Sequence, residues 1–221
     1  MSNITIKNTA DGSHTLYNNE IDETYHSTHG AIQEANHVFI QNGISLVDKD
    51  KISVLEVGFG TGLNAILTHD YAKISAKTVE YLGLESYPLG NKIISQLNYK
   101  SEIENFDLNA FTRMHEIPWD ESKEIDSFFY LNKMHQTLQD FTPEKEFDVI
   151  YYDAFGPRAQ AEMWEKNLFK KLYETLSIQG ILVTYCAMGQ FKRDLKAVGF
   201  QVECVPGPPG KREMTIAHRT S

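Results

Sequence analysis

A chain of 221 residues, 41% hydrophobic and 23% charged, has the composition of a globular protein with one sizeable core, and no Pro/Gly/Ser-rich or low-complexity stretch divides it. No apolar run approaches the roughly 18–20 residues of a membrane span, and the polar start MSNITIKNTADGS lacks the form of a signal peptide, so the cytoplasm is the expected location. The formal net charge of −9 is unevenly placed: residues 156–221 carry ten Lys/Arg against six Asp/Glu, whereas the first 155 carry eleven against twenty-four, which leaves one third of the chain free to face a phosphate backbone.

In chain order, residues 1–50 read as an extension covering the site of a domain that spans residues 51–221. The spacing of His26, His29 and His37 matches no zinc pattern, and Cys186 and Cys204 lack a C-x-x-C partner, so no metal is expected. Tyr25, Glu34 and His37 are read as part of the cover. Alternating apolar runs then predict strands over residues 52–57, 80–84, 128–131, 147–152, 180–185, 201–205 and 214–218. Helical spacing predicts helices over 63–72, 89–97, 161–176 and 190–198. Such alternation gives a parallel sheet with helices on both faces. The last two strands are joined by "PGPPGK", too short for a crossover helix, and should form an antiparallel hairpin at the sheet edge. The fold class expected is therefore α/β, a Rossmann-like, seven-stranded, mostly parallel sheet closed by a C-terminal antiparallel hairpin.

In such a sheet ligands bind at the carboxyl ends of the strands. The first strand ends in Glu56-x-Gly58-x-Gly60-x-Gly62, followed by Asn64 inside the next helix. A dinucleotide fingerprint would place its third glycine at position 63, where this chain has Leu63. An acid two places before the first glycine disfavours a pyrophosphate and favours a ligand with a cationic or hydroxyl-rich end. Glu85 closes the second strand, where a carboxylate can accept both hydroxyls of a ribose. Asp153 follows the fourth strand in "YYDAFGP".

Together these features resemble the S-adenosylmethionine-dependent methyltransferases of the Rossmann-like class. A narrower resemblance is carried by "EVGFGTGLN" (56–64), "YYDAFGPRAQAEMW" (151–164) and "GPPGKREM" (207–214), with support from residues 23–39 and 183–200. These stretches are similar to the tRNA wobble-uridine methyltransferase domain of the bifunctional MnmC family. The resemblance implies methyl transfer from S-adenosylmethionine to the 5-aminomethyl nitrogen of uridine 34, in the anticodon stem-loop of tRNA, forming 5-methylaminomethyl-(2-thio)uridine. Relatives in that family continue into a flavin-dependent oxidase domain. This sequence ends seven residues after "KREM" with no second glycine fingerprint, so FAD is not expected. In the acidic loop, Arg158, Ala159, Gln160 and Ala161 stand where the family often has Ala-Lys-Asn-Pro, which leaves the placement of the loop's positive charge open.

On this reading Asp153 orients the substrate ammonium and receives or relays its proton. Glu56, Gly58, Gly60, Gly62, Asn64, Glu85 and Asp153 form the cofactor site. Tyr25, Phe155, Pro157 and Trp164 are candidates for contact with the base, and Lys211 and Arg212 for contact with phosphate. No residue is assigned to adenine, because "FYLNKMHQ" after the third strand has no Asp. Two other readings compete: a methyltransferase or aminopropyltransferase-like enzyme acting on a small amine, and a non-catalytic RNA-binding module of the same fold.

Overall fold

The computed structural model describes residues 4–220. Ile4–Asn8 (β1), His14–Asn18 (β2) and Glu23–Thr24 (β3) form a small antiparallel sheet. Ala31–Ala35 (α1) then runs into a π-helical turn at Asn36–Gln41. The main body follows as Lys51–Val57 (β4), Leu63–Ser75 (α2), Thr78–Leu84 (β5), Asn91–Ile94 (α3), Tyr99–Glu102 (α4), Leu108–Glu116 (α5), Glu121–Asp126 (β6) and Phe129–Met134 (β7). Phe147–Tyr152 (β8), Lys166–Thr175 (α6), Leu176–Thr184 (β9), Gly189–Val198 (α7), Gln201–Pro206 (β10) and Glu213–His218 (β11) complete it.

The main sheet has the order β10-β11-β9-β8-β4-β5-β7-β6. β4 pairs in parallel with β5 on one side and β8 on the other. The chain leaves β4 in one direction and later crosses to its opposite flank, so the carboxyl ends of β4 and β8 border a switch point. Burial matches that central position: β8 is buried at every residue and β4 at five of seven, as a parallel strand covered on both faces should be. The terminal β10–β11 hairpin is antiparallel, as its Pro/Gly turn requires, and β11 also pairs antiparallel with β9.

The sheet has eight strands instead of the seven expected. The additional β6 lies antiparallel against β7 on the outer edge, with a register shift between Glu124 and Asp126. Its sequence ESKEID is exposed at its first four residues, so no apolar alternation marks it, and its charges blunt the open edge. The helix expected over 161–176 is also shorter. Residues Ala161–Trp164 make a 3-10 turn, Glu165 is extended, and α6 begins at Lys166.

Two apolar layers sandwich the sheet. Ala31, Ala35, Val38, Phe39 and Ile44 belong to the same layer as Val54, Tyr81 and Tyr151, and the Phe39 ring sits 5.0 Å from that of Tyr151. Burying a side chain of the size of Val38 or Phe39 contributes about 1.5–3 kcal/mol. The N-terminal segment is thus anchored in the main core, and this fixes its first sheet over the strand ends.

Candidate active site

A cavity of about 670 Å³ opens at the carboxyl ends of β4, β5, β7 and β8. Its floor begins with the turn after β4. Gly58 has φ +96°, and a Cβ there would lie 2.7 Å from the Asp153 carbonyl, so two strand ends approach more closely than a side chain permits. Gly62, at φ +75°, caps α2 in the left-handed region. Gly58 and Gly60 line the cavity; Gly62 lies behind the turn against His115 and Phe59.

Asn64, in the first turn of α2, binds two acids with one amide. Its Nδ2 donates to Glu56 Oε1 and to Asp153 Oδ2, both at 2.8 Å. Glu56 is fully buried and lies beneath the cavity lining, so the structure makes it a support of the turn and not a wall. Burial first, and then the charge of Asp153, push its carboxyl well above the usual range. Asp153 itself lines the cavity, half-buried. Burial, followed by the charge of Glu34, raises it to about 7, against the opposing pull of the Asn64 amide and of Lys211.

Glu85 lines the cavity at the end of β5. One carboxylate oxygen accepts the Gly60 N–H and the other the Tyr87 N–H, each at 2.8 Å. These bonds fix the group while leaving lone pairs on both oxygens for a diol. At the end of β7, Gln136 also lines the cavity, tied to β5 by its backbone N–H on the Glu85 carbonyl at 3.1 Å. Its side-chain Oε1 is buried without a partner, an open acceptor beside Glu85. The acceptor at this strand end is an amide and not the Asp that would mark it in a sequence.

The N-terminal segment supplies the facing wall. Tyr25 and Phe155 meet edge to face, centroids 5.0 Å apart, and both line the cavity. Burial and the nearby Glu85 raise the Tyr25 hydroxyl to about 12, so it stays a hydrogen-bond donor. His26 lines the same wall, its Nδ1 buried without a partner, and burial lowers it to about 4. It is a neutral imidazole at physiological pH. His29 rests on Gly210 and His37 Nε2 meets the Pro206 carbonyl at 2.9 Å, so the three histidines serve separate contacts. Among the described residues, no group of three or more His, Cys, Asp or Glu is placed to hold a metal.

Three of the residues expected to contact ligand lie off the cavity lining. Trp164 does not reach the cavity: its Nε1–H donates to the Phe155 carbonyl at 2.8 Å, and its ring packs edge-on against Tyr152 and Phe191, bracing the loop from behind. Pro157 is half-buried and likewise off the lining. Lys211, expected to meet phosphate, is committed inside the protein, its ammonium paired with Glu34 and seated 3.8 Å from the centre of the Tyr185 ring. Arg212 is exposed.

The charged residues lining the cavity are Glu20, Glu85, Asp153 and Glu162, with neither Lys nor Arg among them. A largely apolar chamber whose charged residues are all acidic suits a cationic ligand bearing hydroxyls. The family model described as S-adenosyl-L-methionine-dependent methyltransferase matches residues 95–220, more than half of the chain. The chain belongs to this methyltransferase family. The methyltransferase is 27% identical, over 92% of its length, to the tRNA 5-methylaminomethyl-2-thiouridine biosynthesis bifunctional protein MnmC of Cupriavidus metallidurans, and 28% identical, over 93%, to the protein of that name from Marinomonas sp.. It spans about a third, 32%, of each of those relatives. Among solved structures, its fold is similar to MnmC2 from Aquifex aeolicus, with a TM-score of 0.78, 23% identity, and coverage of 98% of this chain and 70% of that one. It is also similar to spermidine synthase from Thermotoga maritima, with a TM-score of 0.56, 16% identity, and coverage of 94% and 69%.

Proposed function

We propose that this methyltransferase transfers a methyl group to the 5-aminomethyl nitrogen of uridine 34 in tRNA, forming 5-methylaminomethyl-(2-thio)uridine in the cytoplasm. The observation that carries the reading is Asp153, held by Asn64 at the switch point of an anionic cavity, in a chain similar along nine-tenths of its length to proteins named for that tRNA modification.

The residues present fit S-adenosylmethionine. Gly58 and Gly60 keep the turn along the cavity wall free of side chains, Glu85 offers lone pairs to a ribose, and the orphaned Gln136 Oε1 offers an acceptor to an exocyclic amine. When bound, S-adenosylmethionine supplies an electrophilic methyl carbon on a cationic sulfur. This chain's residues supply position and proton handling. A primary alkylamine has a pKa of about 10.4 and reaches the site as an ammonium. Asp153 accepts its N–H, aims the nitrogen, and then takes or relays the proton. An ordinary carboxylate would hold the ammonium but resist deprotonating it; burial, by raising Asp153 to about 7, narrows that mismatch. Burial and the charge of Asp153 push the Glu56 carboxyl upward, which disfavours a second anion beneath it.

The absence of Lys and Arg from the lining means that phosphate gains nothing by entering. The base enters alone, against Tyr25 and Phe155, while the anticodon stem-loop backbone stays outside, where Arg158, next to the lining residue Ala159, and Arg212 are exposed. The same acidic lining also suits a small polyamine, the second reading. The test is transfer of labelled methyl to tRNA carrying 5-aminomethyl-uridine at the wobble position, with a spermidine-type amine in parallel. Label in the tRNA nucleoside, lost in Asp153→Asn, is the expected result; label in the small amine alone overturns the tRNA reading.

A further inference from the structure

The Glu34–Lys211 ion pair joins residues 177 positions apart, one on α1 and the other in the turn between β10 and β11. Glu34 is fixed on both oxygens: Oε1 accepts the Ser27 N–H at 2.9 Å and Oε2 the Lys211 ammonium. Its side chain is 9% exposed. Lys211 lies over the Tyr185 ring, and the Tyr185 hydroxyl donates to the carbonyl of Ala154, the residue after Asp153, at 2.8 Å. The four groups thus form a continuous chain of contacts that ends on the backbone of the catalytic loop. A tie between two segments needs no charge. A mostly buried ion pair stabilises little beyond what a packed apolar pair would give, because desolvation offsets the attraction.

We propose that Glu34 and Lys211 are positioning residues for Asp153: Lys211 sets the positive field behind the carboxylate, and Glu34 holds that lysine away from it, so that Asp153 stays open to a substrate ammonium. The inference rests on the reading of Asp153 as the group that meets the substrate amine. Without Glu34, the Lys211 ammonium, whose charge already acts on Asp153, loses its partner and is free to compete with the substrate for that carboxylate. Without Lys211, Glu34 faces Asp153 as an uncompensated like charge.

The groups that face Asp153 come from every element packed around it. They are Glu56 on β4, Tyr81 on β5, Asn64 on α2, Glu34 on α1, Tyr185 beyond β9, and Lys211 on the hairpin turn. Lys211 is the cation among them. The charge of Glu34 raises the proton affinity of Asp153 and that of Lys211 lowers it, so the two partners act with opposite signs on one group. Neutral His26 stands beside the pair and feels both charges.

The experiment is a pH titration of the whole protein labelled with 13C at aspartate carboxyls, with the Asp153 signal assigned by its loss in Asp153→Asn. Glu34→Gln should lower the Asp153 midpoint and Lys211→Met should raise it, each by on the order of one pH unit, the shift usual for a close charge. Lys211→Arg should leave it in place. A purely mechanical tie would move both variants in the same direction or neither, and either result overturns the inference. If Lys211→Met fails to fold, the near-isosteric Glu34→Gln decides alone: an unchanged or raised midpoint rejects the proposal. In the transfer assay Glu34→Gln should also raise KM for the amine substrate more than it lowers kcat. Because the titration needs no substrate, loss of the tRNA reading and loss of this inference are distinguishable.

Discussion

Asn64 and Asp153, 89 positions apart in sequence, are joined by a 2.8 Å bond from Nδ2 to Oδ2, and the same nitrogen also serves Glu56. One amide therefore determines where the carboxylate proposed to meet the substrate amine points. Asn64→Leu, similar in volume, removes the donor and leaves two buried acceptors unsatisfied, at a cost of about 1–3 kcal/mol in stability. Methyl transfer should fall by roughly 10²-fold through misplacement of Asp153. Denaturant unfolding and single-turnover rates check the two effects separately.

Asp153→Asn should abolish the acid-base function and cost roughly 10²–10⁴-fold in rate. It should also stabilise the protein, and only at higher pH. A carboxyl raised from 3.8 to about 7 binds more protons folded than unfolded between those values, so the native protein loses stability as pH climbs through that window. Asparagine removes the cost of ionising the buried group. The melting temperature of the variant should match the original at pH 4 and exceed it at pH 8; a gain at pH 4 as well would contradict the assignment.

The pH dependence of transfer follows from the same group. Activity should rise with pH as Asp153 ionises near 7, and His26, held neutral by burial down to about 4, should add no second step between pH 5 and 8. His26→Gln should leave the midpoint of kcat/KM within a few tenths of a pH unit, whereas a profile limb that vanished with His26 would reassign the base.

Glu85→Ala removes the acceptor for Gly60 and Tyr87 together with the lone pairs offered to a ribose. Bonds to a charged acceptor contribute about 1.5–3 kcal/mol each, so the dissociation constant for S-adenosylmethionine should rise by at least ~10-fold. Calorimetry measures it, with Asp153→Asn as a control expected to retain binding within a few-fold.

Gly58→Ala places a methyl group 2.7 Å from the Asp153 carbonyl at a φ of +96° that alanine rarely adopts. Strain of this kind costs on the order of 1–3 kcal/mol. The substitution should lower the melting temperature and weaken cofactor binding together, whereas Trp164→Phe, which loses the bond to the Phe155 carbonyl and part of the ring packing on Tyr152 and Phe191, should cost about 1–3 kcal/mol and leave cofactor affinity unchanged.

The α/β class, the terminal hairpin and the three strand-end features at Gly58, Glu85 and Asp153 were legible in the sequence, because buried parallel strands are continuous apolar runs and their ends are marked by glycine or an acid. β6 was not, since an edge strand buries almost nothing and leaves no hydrophobic period. Gln136 escaped for a different reason: an amide at a strand end becomes notable only when its oxygen is seen buried and unpaired. The place of Trp164 was not legible, because an indole suits stacking on a base and bracing a loop equally well.

What the sequence by itself determined was local: which segments form strands, where the glycine turn lies, and which acids stand at strand ends. Those properties depend on neighbours a few residues away, through backbone sterics and the period of apolar side chains. Only the tertiary structure decided which charges meet. Lys211 looked like a phosphate ligand until the fold brought Glu34 against it from 177 positions away, and Asp153, marked in the sequence as a strand-end acid, owes its raised proton affinity to the burial and charges that only the fold assembles around it. Proton affinity and charge pairing are set by desolvation and distance in three dimensions, and neither quantity is encoded in spacing along the chain.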